Sequence, residues 1–261
     1  YLYLFWLCTR YIFDRLLNRS IVTSLLDLDL YKFTMLAVAQ LGKYSYKGKE
    51  VSFKDVEVTY RLKNRNKQKL VELIPYSMLR KQLDHVLKLR ITKKQINYLR
   101  SLGIFPEEML KALPSLRLSG YDLRIENGEY VLTVTGNWPQ SILHETIDMC
   151  ILTELAGWCE IVSERKNPYA VWLEGNSRLS IKIEKLKTRA KVRFADFGTR
   201  RRHAKLWQMF VIWRLTKELP KIYVGTSNVE FSMQFGTTPI GTFAHEMYMV
   251  TYGILKFLGD D

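Results

Sequence analysis

Three short stretches between Phe194 and His245 hold the residues best suited to chemistry. They are Phe194-Ala195-Asp196-Phe197-Gly198-Thr199-Arg200-Arg201-Arg202, Gly225-Thr226-Ser227-Asn228, and Pro239-Ile240-Gly241-Thr242-Phe243-Ala244-His245-Glu246. In each, a β-type run stops at a glycine or small hydroxyl residue and polar side chains follow at once. In a parallel sheet, the loops that leave the carboxyl ends of buried strands present N–H groups and side chains to a ligand. Gly198, Gly225 and Gly241 are expected to allow tight turns and close backbone approach. The guanidinium forks of Arg200 to Arg202 suit phosphate or carboxylate oxygens, so the expected ligand is anionic. Adjacent residues on a helix splay by about 100°, so one of the three arginines is expected at the surface. His245 follows small residues at an expected helix start, where there is room for an anion beside free N–H groups. A lone histidine on an apolar helix is more commonly a packing or surface group. Glu246, if it reaches back, would hold the imidazole in one tautomer.

A fourth stretch, Leu26-Asp27-Leu28-Asp29-Leu30-Tyr31-Lys32-Phe33-Thr34-Met35, lies far upstream and leads into a helix that ends before Gly42. Asp27 and Asp29 sit where carboxylates cap a helix and suit its dipole, so an ordinary capped helix and a ligand site are both open readings. Asp196-Phe197-Gly198 matches the metal-binding triplet of protein kinases. The catalytic loop, glycine-rich loop and Ala-Pro-Glu that should accompany it are missing, so that reading is set aside.

Taken together and in this order, the four stretches resemble the nicotinate phosphoribosyltransferase family over roughly Leu25 to Met249. One departure is Leu28, where the family usually has threonine. The resemblance implies that nicotinate lies between Phe197 and Tyr31, the tyrosine reaching in from the other subunit of a homodimer with a shared active site. It implies phosphate or diphosphate contacts from Arg200 and Arg201, with Gly198 and Thr199 also contacting substrate. Ser227 and nearby backbone N–H groups would face the pyridine end, and Thr226, Asn228, Gly241 and Thr242 would also contact substrate. His245 would be phosphorylated by ATP, with Glu246 as a possible orienter. The implied reaction is classed with the ligases and belongs to NAD salvage. It joins nicotinate to phosphoribosyl pyrophosphate, giving nicotinate mononucleotide and pyrophosphate while ATP is hydrolysed. Mg²⁺ would arrive with ATP and phosphoribosyl pyrophosphate and bridge their phosphates, with no metal held by protein residues. Nicotinate is favoured over nicotinamide because the nicotinamide-using relatives place an aspartate where this chain has Ser227.

Composition bounds these expectations. The 261 residues, 47% hydrophobic and 13% aromatic, suffice for one large domain or two modest ones. Forty Lys and Arg against 26 Asp and Glu give +14. The basic residues are spread along the chain without an RNA-binding or zinc-finger signature, and solvated helix faces plus an anionic-substrate pocket outweigh a nucleic-acid surface. Cys8, Cys150 and Cys159 support neither a disulfide framework nor a Cys-x-x-Cys metal site, which implies a reducing, cytoplasmic setting. No apolar run reaches the ~20 residues of a membrane span. Tyr1 to Cys8 lacks the basic flank and cleavage site of a signal peptide.

The patterns predict a strand over 56–62, helices over 74–89 and from a Thr92–Gln95 capping box to near Gly103, and a hairpin turning at Asn127-Gly128. Long helices follow over 140–164 and 169–190, with His144 and Glu145 read as core-edge packing. Then come a strand over 192–197, a helix over 200–219, a strand over 222–224, a helix over 229–235 and a helix over 244–258. The fold class is therefore α/β. Residues 1–20 are an unplaced extension and 21–139 an N-terminal α+β domain, and the resemblance implies that 140–261 are the first part of an irregular α/β phosphoribosyltransferase barrel that reads as C-terminally truncated. The family supplies further strands and phosphate-binding elements beyond this point, which leaves the activity of these 261 residues alone open. Two alternatives are a truncated non-catalytic relative with a ligand-binding or dimerisation role and a basic nucleic-acid-binding protein.

Overall fold

The computed structural model describes residues 18–64, 69–189 and 191–259. Most of the 1–20 extension and part of the polar loop around residues 65–68 lie outside the described residues. The first half is antiparallel in its strands. Helix α1 (Leu30–Leu41) is followed by the hairpin β1 (Lys43–Tyr46) and β2 (Lys49–Ser52), then β3 (Glu57–Arg61). Helices α2 (Leu70–Leu73), α3 (Tyr76–Val86), α4 (Lys93–Ser101) and α5 (Glu107–Ala112) precede β4 (Tyr121–Glu126) and β5 (Glu129–Asn137). The sheet order is β3-β5-β4. Its hairpin turns where expected, with Asn127 and Gly128 at φ of 52° and 73°, the positive angles of a type I′ turn. The Thr92–Gln95 capping box at the start of α4 is also formed.

The second half turns parallel. After α6 (Trp138–Ser141), α7 (His144–Ser163) and α8 (Pro168–Lys187), strands β6 (Phe194–Asp196), β7 (Tyr223–Thr226) and β8 (Thr238–Pro239) form one sheet. Helices α9 (Lys205–Glu218) and α10 (Val229–Phe235) connect them, and α11 (His245–Leu258) follows. At Gly225 a Cβ would lie 2.0 Å from the carbonyl oxygen of Thr238, so close β7–β8 pairing requires glycine there. Gly198 has no positive φ but is crowded, a Cβ there meeting Asp196 Oδ1 at 3.0 Å, whereas Gly241 has neither a positive φ nor a close approach, its Cβ making only ordinary contact with Leu30.

Three expected features differ. The helix over 140–164 is broken into α6 and α7. The helix over 200–219 is instead a 3₁₀ turn at Thr199–Arg201 followed by α9. The break has a cause: Arg202 takes extended angles (φ −64°, ψ 141°) and sends its guanidinium into the interior to Asp27. Finally, the carboxylates before α1 do not cap it. Asp29 is the N-cap residue but makes no side-chain cap bond, because both carboxylates are engaged by partners from β7 onward and the turn after β6.

The main core gathers α1, α3–α7 and the first sheet, and α11 packs Val250, Ile254 and Leu258 into it. A second, smaller core joins α8 and α9 to β7 through Leu179, Ile183, Leu215, Leu219, Ile222 and Tyr223. Among the described residues no helix is long and apolar enough to cross a membrane.

Candidate functional site

The carboxyl ends of β6 and β7 lie side by side, and the segment before α1 docks onto them. The Ser227 amide donates to the Asp196 carbonyl (2.8 Å), and the Leu30 amide donates to the Ser227 carbonyl (2.8 Å). Asp29 and Asn228 form an isolated antiparallel bridge. Three stretches nearly 200 residues apart at their extremes are thereby fixed to one another by backbone bonds.

The innermost layer is ionic. Arg202, 3% exposed, donates to both oxygens of Asp27 at 2.5 and 2.9 Å. Lys205 Nζ lies 3.2 Å from Asp27 and 2.8 Å from Glu230, and Arg202 Nε lies 3.5 Å from Glu154. Asn228 completes the cluster, donating Nδ2 to Asp27 (2.9 Å) while its Oδ1 accepts the Phe231 amide and caps α10. Burial pushes the Asp27 carboxyl up, but Arg202, Lys205 and the Asn228 hydrogen bond outweigh it and hold it at about 2. Glu154, with less compensation, is raised by burial.

The next layer is the rim. Ser227 is fully buried and donates Oγ to Asp29 (2.6 Å). Burial raises the Asp29 carboxyl above its ordinary range. Thr226 donates to Asp196 (3.0 Å), and Gln208 donates to the same oxygen (3.1 Å). Thr199 is buried at the turn, its carbonyl accepting from the Cys150 thiol at 3.1 Å. Arg200 projects outward with a half-exposed side chain, 3.0 Å from Glu145 and 3.7 Å from Asp29. Its guanidinium lies 6.0 Å from the centre of the Tyr31 ring. Arg201 is exposed and, with Arg200, Glu145, Tyr60, Arg61 and Lys63, lines a cleft of about 640 Å³ beside α7.

The aromatic pair stands apart within this chain. Tyr31 is buried beneath Arg200, its hydroxyl pushed well above the ordinary phenol range by burial and the Glu145 charge, whereas Phe197 is 48% exposed. Gly241, Thr242 and His245 are exposed, and α11 begins at Ala244 without a side-chain cap. Glu246 is turned elsewhere than expected. Its Oε1 accepts from Trp138 Nε1 (2.7 Å) and from the Tyr60 hydroxyl, and its Oε2 meets Lys32 Nζ. Among the described residues no hydrogen bond joins Glu246 to His245.

Sequence reasoning missed four contributors. Lys32, Glu145, Glu154 and Lys205 carried no local signal, because each matters only through a partner remote in the chain. Glu145, read as packing, pairs with Lys32 (2.6 Å) and Arg200. Burial opposes its ionisation, but these two cations outweigh it and lower its carboxyl. His144 is structural, lying between Asp148 and the Ser119 carbonyl. Asp27, Glu145 and Glu154 are engaged by lysine and arginine side chains, Asp29 by Ser227 and Asp196 by Thr226 and Gln208, and among the described residues no group of His, Cys, Asp or Glu is arranged to hold a metal ion. The donor set does not fit a resident cation.

Family models match in two segments: the nicotinate phosphoribosyltransferase N-terminal domain over residues 26–153 and the nicotinate phosphoribosyltransferase family over residues 192–258. A nicotinate phosphoribosyltransferase of Ralstonia nicotianae is 34% identical over 235 residues, covering 87% of this chain and 56% of its own. The crystal structure of nicotinate phosphoribosyltransferase from Vibrio cholerae superimposes with a TM-score of 0.71 at 26% identity, covering 89% of this chain and 53% of its own. That from Porphyromonas gingivalis, at 24% identity, shares the fold with a TM-score of 0.70 over 91% of this chain and 60% of its own. The chain thus spans little more than half the length of the relatives it matches.

Proposed function

Because the chain belongs to the nicotinate phosphoribosyltransferase family, we propose that it takes part in ATP-coupled transfer of a phosphoribosyl group to nicotinate, in NAD salvage. The observation that carries this reading is the convergence of Asp29-Leu30-Tyr31, Thr199–Arg202 and Thr226–Asn228 around a half-exposed Arg200.

In this reading, C1 of the ribose loses pyrophosphate through an oxocarbenium-like state and the pyridine nitrogen attacks with its own lone pair. The protein's work is to position reactants and neutralise leaving-group charge, so no strong general base is required. Arg200 and Arg201 face the cleft as permanent cations for phosphate oxygens. Mg²⁺ is assigned to the phosphates of ATP and phosphoribosyl pyrophosphate. His245, exposed at an uncapped helix start, is accessible to a γ-phosphoryl group. Phe197 offers an open face for an aromatic ring, and we assign its opposite face to Tyr31 of a second copy in a homodimer. A two-part organisation with a boundary near residue 139 is supported by the change from antiparallel to parallel sheet. Free, buried Cys150 and Cys159 accord with a reducing, cytoplasmic setting.

Preference for nicotinate is supported by Ser227. It is neutral, its hydroxyl proton given to Asp29, whereas an aspartate in its place would repel a substrate carboxylate. The test is phosphoryl transfer from γ-labelled ATP to the whole chain and to His245→Ala, with equilibrium binding of nicotinate and nicotinamide alongside. Acid-labile, alkali-stable label lost in the variant, together with tighter binding of nicotinate, is the expected result. Absence of label on the folded chain, with no preference for nicotinate, refutes the reading. Salt-sensitive binding of polyanions without nicotinate binding would favour a nucleic-acid partner instead.

A further inference from the structure

Lys32 is fully buried, and nothing assigned so far uses it. An isolated ammonium in that position would be prohibitively costly, so its environment must be arranged around it. Its Nζ meets two carboxylates from different parts of the chain, Glu145 on α7 at 2.6 Å and Glu246 on α11. The second oxygen of each carboxylate is also occupied: that of Glu145 by Arg200 at 3.0 Å, and that of Glu246 by Trp138 Nε1 at 2.7 Å and the Tyr60 hydroxyl. The Tyr31 and Tyr60 rings, with centres 5.6 and 5.7 Å from Nζ, shield the ammonium from water. The result is one continuous chain, Glu246–Lys32–Glu145–Arg200, that runs from the residue after His245 to the cation at the turn after β6.

We propose that Lys32 is a positioning residue, holding the first turn of α11, with its exposed His245, in fixed relation to Arg200. The role rests on the reading of His245 as phosphoryl acceptor. The physical basis is that the buried ammonium is satisfied only when the starts of α7 and α11 are both seated. Each helix start is therefore held in place by the other through a single side chain. Glu246 thus acts on His245 through the backbone of α11, not through a bond to its imidazole.

The test uses the full chain with Lys32→Met and with Lys32→Met/Glu246→Gln. The double variant removes both charges and protects the fold if the single one leaves a carboxylate stranded. Two readouts are taken beside the thermal midpoint: the initial rate of His245 labelling from γ-labelled ATP, and hydrogen exchange of the first intrahelically bonded amides of α11, residues 248–252. The double variant is expected to regain most of the midpoint while labelling stays at least about tenfold slow and exchange over residues 248–252 at least about tenfold fast. A purely structural lysine would show labelling and exchange recovering together with the midpoint, and that result overturns the proposal. If the unsubstituted chain takes no label, the phosphoryl-acceptor reading fails, and the exchange arm still decides whether Lys32 holds the helix. Unchanged exchange over residues 248–252 sinks the positioning role in either case.

Discussion

Arg202 is buried with both terminal nitrogens on Asp27, and neither charge is stable there without the other. Replacing one partner of such a pair leaves an uncompensated buried charge and costs about 3–5 kcal/mol. Arg202→Met should therefore lower the urea midpoint far more than Arg201→Met, whose arginine is exposed. The pH dependence has a definite sign. The Asp27 carboxyl lies at about 2 in the folded chain against an ordinary 3.8, so its contribution is present above pH 3.8 and disappears as pH falls through 2. At neutral pH that is ~2 kcal/mol. The difference in unfolding free energy between the unsubstituted chain and Asp27→Asn should shrink over this window, and a flat difference would contradict the ion pair. Ser227→Asp has the opposite sign. Two buried carboxylates, at positions 29 and 227, would repel, costing at least ~2 kcal/mol near neutral pH and less in acid as one takes up a proton. Unfolding curves at the two pH values check it.

At the scale of elements, the site depends on how closely β7 approaches β8. Gly225→Ala places a methyl 2.0 Å from the Thr238 carbonyl oxygen at a φ of 150°, and neither backbone has room to yield. A destabilisation of about 3 kcal/mol is expected, read as a lower urea midpoint, whereas Gly241→Ala should be nearly neutral because its Cβ would make ordinary contact with Leu30. The same contrast separates what was legible in the sequence from what was not. The hairpin at Asn127-Gly128, the box at Thr92–Gln95 and α10 over Val229–Phe235 were readable because turn and cap chemistry is local. The helix expected from Arg200 was not, because its first turn was surrendered to a bond with a carboxylate 175 residues away. Likewise Asp27 and Asp29 have the residue types of helix caps, and only the fold reveals that Arg202 and Ser227 claim them. The four stretches were legible as a set, but Lys32 and Glu145, which tie them together, were not.

For the molecule as a whole, the two cores differ greatly in extent, and the ionic site lies between them. The larger core takes in α1, α7 and α11, while the smaller one holds α8 and α9 to β7 by a handful of apolar side chains. What fastens the smaller core to the larger near the site is largely polar: Arg202 to Asp27, the Cys150 thiol to the Thr199 carbonyl, and the Lys205 amide to Glu154 at 2.8 Å. Apolar burial sets most of the resistance to local opening, so protection from hydrogen exchange should fall into two tiers. Amides of α1 and α7 are expected to exchange near the global unfolding limit, with those of α8 and α9 faster by about tenfold or more. Arg202→Met should widen that gap, because it cuts the joint while leaving each core's apolar contacts in place. Equal protection throughout, moving in step in the variant, would mean that the chain opens as one unit and that Asp27–Arg202 stabilises all of it alike. The two-tier outcome would instead mean that the turn carrying Arg200 is held in place across a boundary, by a carboxylate that the N-terminal segment supplies.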